Sequence, residues 1–287
     1  MFKHLIIDPE VPVSPATQPV LFVSHGAPTL ALEGGAWAEA LHAWAGGLEG
    51  VRAILVLSAH WETAGPVRVL AHPRPETLHD FGGFPPALYQ MQYPAPGDPD
   101  LAARVVAMLQ AGGLEAGLDP LRPLDHGVWV PLRAAFPEAR IPVVQVSLPV
   151  ARTPRGLFEL GRLLAPLRQE GVVMIASGGI VHNLRRLDWA DRPGTEAWAQ
   201  TFEDWVVQGL ARAQAAPAAP VSAVPPDALE GLFAAAVQAP FYAQAVPTTE
   251  HFDPLYFAMG AAGTGRLRTV HAGWQYGSLS LRTWAWQ

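Results

Sequence analysis

The sequence predicts an α/β fold: a single domain over residues 1–287, with a central, mostly parallel sheet flanked by helices and a candidate active site at the C-terminal ends of its strands. Two observations carry that expectation. Short runs rich in Val, Ile and Leu, at 19–23 (PVLFV), 54–57 (ILVL), 141–148 (IPVVQVSL) and 172–175 (VVMI), have the composition of strands buried on both faces, and helical patterns alternate with them. Three of these runs lead into a histidine: His25 through Ser24, His60 through Ser58 and Ala59, and His182 through SGGIVHN. Polar side chains that finish buried strands sit at the rim where open α/β sheets bind ligands.

Taken in order, residues 1–18 read as a loose lead-in closed by prolines. The strand at 19–25 is followed by the turn signal GAPT and a helix around Trp37, Leu41 and Trp44, ended by Gly46 and Gly47. The strand 51–60 ends on His60, with a probable neighbour at 67–70. Residues 72–99, dense in Pro, Gly and aromatics, form a long binding or covering loop. Asp98 or Asp100 caps a helix through 101–109, and a second loop carries His126 ahead of a short helix. The strand at 141–148, a helix around 154–168 and the strand at 172–177 complete the alternation. Helices follow at about 193–213 and 226–238, joined by the Ala/Pro-rich stretch 213–226. Asp253 and Pro254 fit the N-cap and first position of an apolar helix, placing Glu250 and His251 just ahead of it. The tail, LRTVHAG and SLSLRTWAW, reads as two strands, a hairpin or an edge of the sheet.

Bulk properties narrow the function. Half of the 287 residues are hydrophobic and 15% are charged, which suits a packed core rather than disorder. The apolar runs fall far short of the ~20 residues a membrane span needs. MFKHLIIDPE lacks a signal-peptide pattern, so a cytoplasmic location is expected. The net charge of −6, with basic residues scattered, leaves no footprint for nucleic acid. The absence of cysteine excludes disulfides, Cys-ligated zinc, Fe–S clusters and a thiol nucleophile, so any metal must be held by His and carboxylate.

Of ten histidines, His4, His42 and His72 read as solvent-exposed, His271 as packed or on the surface, and His79 as either loop structure or site. His25, His60, His126, His182 and His251 stand apart. Three follow buried strands, His126 lies beside Asp125 and His251 beside Glu250. Such a set suits Fe(II), Zn or Mn. With iron it could bind a substrate and dioxygen side by side; with zinc it could activate water for hydrolysis. A non-catalytic binding protein on the same scaffold is a third reading. No Walker A, GxGxxG or GxSxG pattern is present. Ser24 and Ser58 read as backbone hydrogen-bonders, and Asp125 with His126 as a weak candidate for part of a triad.

The segments LFVSHGAP, LVLSAHWET, LHDFGGFPPALYQMQYPAPGDP, LDHGVWVPL, SGGIVHNL, EHFDPL and YGSLSLRTW together resemble the class III extradiol ring-cleaving dioxygenases of the LigB superfamily, specifically the 4,5-DOPA dioxygenase type. They span about residues 20–286. The resemblance implies a mononuclear metal centre with His25, His60 and His251 as ligands and Glu250 as the alternative third. It implies His182 as the acid/base, close enough to count as a fourth ligand in a zinc-loaded protein, and His126 as a contact to substrate or oxygen. Fe(II) is the working metal so implied, with Zn(II) a competing occupant; a catechol such as DOPA and O2 are the reactants. The chain departs from the family pattern at Gly179, where Ser is common, and at Asp253, where an apolar residue is usual.

Overall fold

The strand-like runs form strands, beginning with β1 (Val20–Ser24), β2 (Ala53–Thr63), β3 (Val67–Leu70), β4 (Ala116–Asp119), β5 (Val143–Pro149), β6 (Val172–Gly178) and β7 (Leu267–His271). A two-stranded ribbon, β8 (Trp274–Gln275) and β9 (Leu279–Ser280), precedes β10 (Thr283–Trp286). These positions come from a computed structural model that describes residues 17–190, 194–215 and 226–287. The lead-in 1–16, with His4, and the connector residues 216–225 lie outside the described residues.

Among the described residues, eight strands make one sheet in the order β4-β3-β5-β2-β6-β1-β10-β7. The middle four, β5, β2, β6 and β1, run parallel, and β10 and β7 extend the sheet antiparallel. The tail is therefore part of the sheet, with β10 inside it and β7 at its edge. β4 has no apolar run in AGLD to announce it; it pairs with β3 as the opposite edge.

The helices are α1 (Leu30–Glu33), α2 (Gly35–Gly46), α3 (Pro99–Ala111), α4 (His126–Ala135), α5 (Pro154–Leu164), α6 (Ala197–Ala215), α7 (Pro226–Phe233), α8 (Ala235–Gln238), α9 (Tyr242–Ala245) and α10 (Pro254–Ala262). None is long and apolar enough to cross a membrane among the described residues. Alternation along the strands splits the core in two. Phe22, Leu55, Leu57, Val146 and Met174 face α3, α5, α6 and α10, whereas Leu21, Val23, Ile54, Val56 and Ile175 face α2 and α4. Both sheet faces are thus covered, which is why the strands are continuously apolar.

Three local expectations are corrected. β2 does not stop at His60 but runs to Thr63, and its pairing with β5 shifts register between Leu57 and Glu62, around His60. An irregularity of that kind re-aims a side chain within a strand. His126 is not in a loop; it is the first residue of α4. Asp253 stands at the N-cap position of α10, as expected, but with a helical backbone (φ −56°, ψ −34°) it makes no side-chain cap bond, and its carboxylate binds Arg152. Asp98, by contrast, does cap α3 through the Leu101 N–H at 2.9 Å.

α5 and α10 approach through glycines. A Cβ on Gly260 would collide with the Phe158 carbonyl, and one on Gly161 with the Phe257 carbonyl. These obstacles are backbone and cannot rotate away, so the clash outweighs the helix propensity gained from alanine, about 1 kcal/mol. Gly260→Ala is therefore expected to destabilise the chain by roughly 1–3 kcal/mol, as typical overpacking does, read as a lower urea midpoint at unchanged m-value.

Candidate metal centre

The site is assembled at one rim of the sheet. His25 follows β1 and continues its ladder, donating its N–H to the Gly178 carbonyl at 3.0 Å. His60 projects from the register shift in β2, and His182 lies four residues beyond β6. His251 arrives from the turn before α10, and that turn reaches the end of β6 only because residue 178 is glycine. A Cβ there would strike the His251 carbonyl, which accepts the Gly179 N–H at 2.8 Å. His126 enters from the start of α4.

These five rings converge. Nε2 of His60 lies 3.0 Å from Nε2 of His25 and 3.2 Å from Nε2 of His251. Adjacent nitrogens bound about 2.0–2.1 Å from one cation would be roughly 3.0–3.4 Å apart. His126 lies 4.0 Å from His60 between ring centroids, and one nitrogen from each of His25, His60 and His126 falls within 4.8 Å of the others. Two overlapping trios therefore share His25 and His60. The His182 ring stacks on His251 at 3.5 Å and 6°.

The hydrogen bonds behind the rings dictate where their protons sit. The Ser177 hydroxyl donates its one proton to the Gly127 carbonyl at 2.5 Å, so its oxygen must accept from Nδ1–H of His25 at 2.9 Å. Glu250 accepts from Nδ1 of His251 at 3.0 Å, and Asp80 accepts from both Nδ1 and the backbone N–H of His126, at 2.9 and 3.0 Å. A neutral imidazole with its proton on Nδ1 presents a bare lone pair at Nε2. His25 and His251 thus aim lone pairs at the same atom of His60, which has at most one proton to offer. A cation satisfies all three at once, and carboxylate or hydroxyl partners behind the rings are the usual orienting arrangement for metal-binding histidines.

Electrostatics keep His25, His60, His182 and His251 neutral. Burial, then the neighbouring imidazoles, holds His25 and His251 well below the ordinary histidine value. Burial and the His126 charge bring His60 down to about 4, and burial and the His60 charge do the same to His182. For Asp80, burial pushes upward, but the His126 hydrogen bonds and the charges of His126 and His60 outweigh it and hold the carboxyl at about 2.

Other candidates fall away. Asp125 does not serve His126: its fully buried carboxylate accepts from Ser58, Arg122 and Gln145, which excludes it as a triad partner. Ser24 accepts the Ile180 N–H, a backbone role. His79 bonds the Met91 carbonyl within its own loop. Its neighbour Asp80, which bonds His126 at the centre, is a residue that sequence reasoning passed over; nothing in its spacing ties it to His126, and the one hint is the Asp-Phe-Gly-Gly stretch in the long loop. Ser177, unremarked in the sequence, is the other. In 72–99, Tyr93 is core, its hydroxyl on the Phe136 carbonyl. Phe81 lies 5.5 Å from His126 and borders the site, with Phe84 and Tyr89 packed against it from the loop.

A family model described as the catalytic LigB subunit of aromatic ring-opening dioxygenase matches residues 19–280. The 4,5-DOPA dioxygenase extradiol of Escherichia coli (strain K12) is 36% identical over 278 residues, covering 95% of this chain and 96% of the relative. That of Portulaca grandiflora is 39% identical over 269 residues, covering 92% and 93%. A crystal structure of an uncharacterized protein from Escherichia coli K12 superposes with a TM-score of 0.74 at 32% identity, covering 94% of this chain and all of that one.

The proton placement is directly observable. In metal-free protein, nitrogen-15 NMR of the imidazoles is expected to find His25, His126 and His251 protonated at Nδ1. Ser177→Ala should release His25 to the Nε2–H form while leaving the other two unchanged.

Proposed function

The chain belongs to the LigB family of aromatic ring-opening dioxygenases, and we propose that it is an Fe(II)-dependent extradiol dioxygenase. Its reaction cleaves the ring of a catechol such as DOPA beside the two hydroxyls, adds both atoms of O2 and yields a semialdehyde acid. The observation that carries this reading is the convergence of Nε2 lone pairs from His25 and His251 on His60. In it, His25, His60 and His251 hold the metal. His251 is favoured over His126 because its nitrogen is 3.2 Å from that of His60, and over Glu250 because that carboxylate is engaged behind the His251 ring.

Iron bound there supplies a Lewis-acidic, redox-active centre at which catechol and dioxygen can be brought together. The protein residues do the rest. His182 is neutral at pH 7 and stacked at the edge of the centre, where it can take a catechol proton. His126 can donate from Nε2 only when its ring carries a second proton, and the ionised Asp80 carboxylate behind Nδ1 is the counter-charge for that form. It is suited to meet developing negative charge on oxygen. Phe81, Phe84 and Tyr89 offer aromatic faces to an aromatic substrate.

Three neutral protein ligands leave the charge of Fe(II) uncompensated, which favours an anionic catecholate. Zn(II) binds such nitrogen sites more tightly than Fe(II), so aerobically purified protein is expected to carry zinc and to be inactive. Anaerobic reconstitution with Fe(II) should give oxygen uptake and a yellow product with DOPA or simpler catechols; no turnover across a catechol panel would refute the assignment. His60→Ala should lose iron, whereas His182→Ala should keep stoichiometric iron and lose about 10²–10⁴-fold in kcat.

A further inference from the structure

Arg152 is one of the most heavily engaged side chains near the rim, and nothing in the proposed chemistry uses it. Its guanidinium follows β5 and is 9% exposed. Nε donates to Asp253 at 2.5 Å, Nη1 to Glu62 at 2.6 Å and to the Pro149 carbonyl at 3.0 Å, and Nη2 to Thr249 at 3.2 Å. Glu62 is two residues beyond His60 on β2, Asp253 is two residues beyond His251, and Thr249 lies in the turn that presents His251. One cation therefore ties the strand that carries one imidazole to the turn that carries the other.

Two features argue that this is more than surface pairing. Asp253 stands at the head of α10 with helical backbone angles (φ −56°, ψ −34°) and does not cap it; its carboxylate is given over to Arg152. The pair is also buried, with the Asp253 side chain 7% exposed, unlike Glu62 at 41%. A buried charge left without its partner is costly, so neither residue can relax independently. Meanwhile the atoms this link controls are nitrogens of His60 and His251 that repel unless a cation or a proton lies between them.

Building on the metal reading above, we propose that Arg152, acting with Asp253, is a positioning residue that fixes the separation of His60 and His251 and so prepares the site for its metal. It touches neither metal nor substrate. Its effect is to hold the turn before α10 against the end of β2 before the cation arrives.

The test uses Co(II) as a spectroscopic probe, titrated anaerobically into the full metal-free chain, with affinity and visible ligand-field absorption read alongside the Tm of the apoprotein. Arg152→Ala and Asp253→Asn are each expected to weaken Co(II) binding by about 10–100-fold, the usual effect of removing an outer partner, and to alter the absorption. Arg152→Lys should fall between. The double variant should bind no more weakly than the weaker single one, since both remove the same link. Glu230→Gln, which breaks the surface ion pair of Arg155 on α5, should leave affinity and spectrum as in the parent. Parental affinity and absorption in either single variant, or losses that simply add in the double variant, would overturn the proposal. If Arg152→Ala does not fold, the nearly isosteric Asp253→Asn decides alone. A parent chain that binds no Co(II) would instead overturn the metal reading, and the positioning role with it.

Discussion

Holding two imidazole nitrogens within 3.2 Å of a third, with His25 and His251 buried, is the constraint around which the rest of the structure is arranged. Lone pairs at that distance repel: a neutral His60 can relieve one of its two contacts with its single proton but not both, and charging His25 or His251 is opposed by burial and by the neighbouring rings. The remaining escape is for the segments to move apart. Ser177 and Glu250 orient the rings, the glycine at 178 lets the turn before α10 lie on β6, and the glycine-mediated contact of α5 with α10 keeps that turn's helix in place. A bound cation converts this stored repulsion into affinity.

The parallel strands do the coarse work. β1 and β6 are hydrogen-bonded neighbours, as are β6 and β2, so residues that follow or finish them are automatically within a few ångströms of each other. The fine work falls to irregular backbone: the register shift around His60 and the close approach at Gly178. Regular strands bring histidines to the same rim but cannot by themselves aim two of them at one atom of a third.

How much of this is legible in the sequence depends on the range of the interaction. The strands of the central sheet and the five converging histidines can be read locally, since buried parallel strands have continuous apolar runs and their terminal polar residues stand out. β4 cannot, because a four-residue edge strand needs no apolar face on its solvent side. Asp80 meets His126 across 46 positions, Ser177 meets His25 across 152, and Arg152 meets Asp253 across 101. No periodicity encodes such pairs. Asp253 is the instructive case: followed by proline, it carries a strong local signal for a helix cap, yet its backbone is already helical and its carboxylate serves a long-range ion pair. His79 and Asp80 teach the same lesson at shorter range, as adjacent polar residues in one loop of which only the second faces the centre.

The long segment 72–99 has one more implication. It contributes Asp80 and Phe81 to the rim, with Phe84 and Tyr89 packed behind Phe81, yet His25, His60, His182 and His251 all come from elsewhere, and His126 belongs to α4. The Asp80 carboxylate bonds the His126 ring and Phe81 packs on it, while Leu78 and Tyr93 tie the segment to α4 and the residue that follows it. Changing the ring-bearing stretch 81–89 while keeping Asp80, Leu78 and Tyr93 would leave Ser177, Glu250 and the close approach at Gly178 untouched, so what such a scaffold admits can vary separately from how its imidazoles are held.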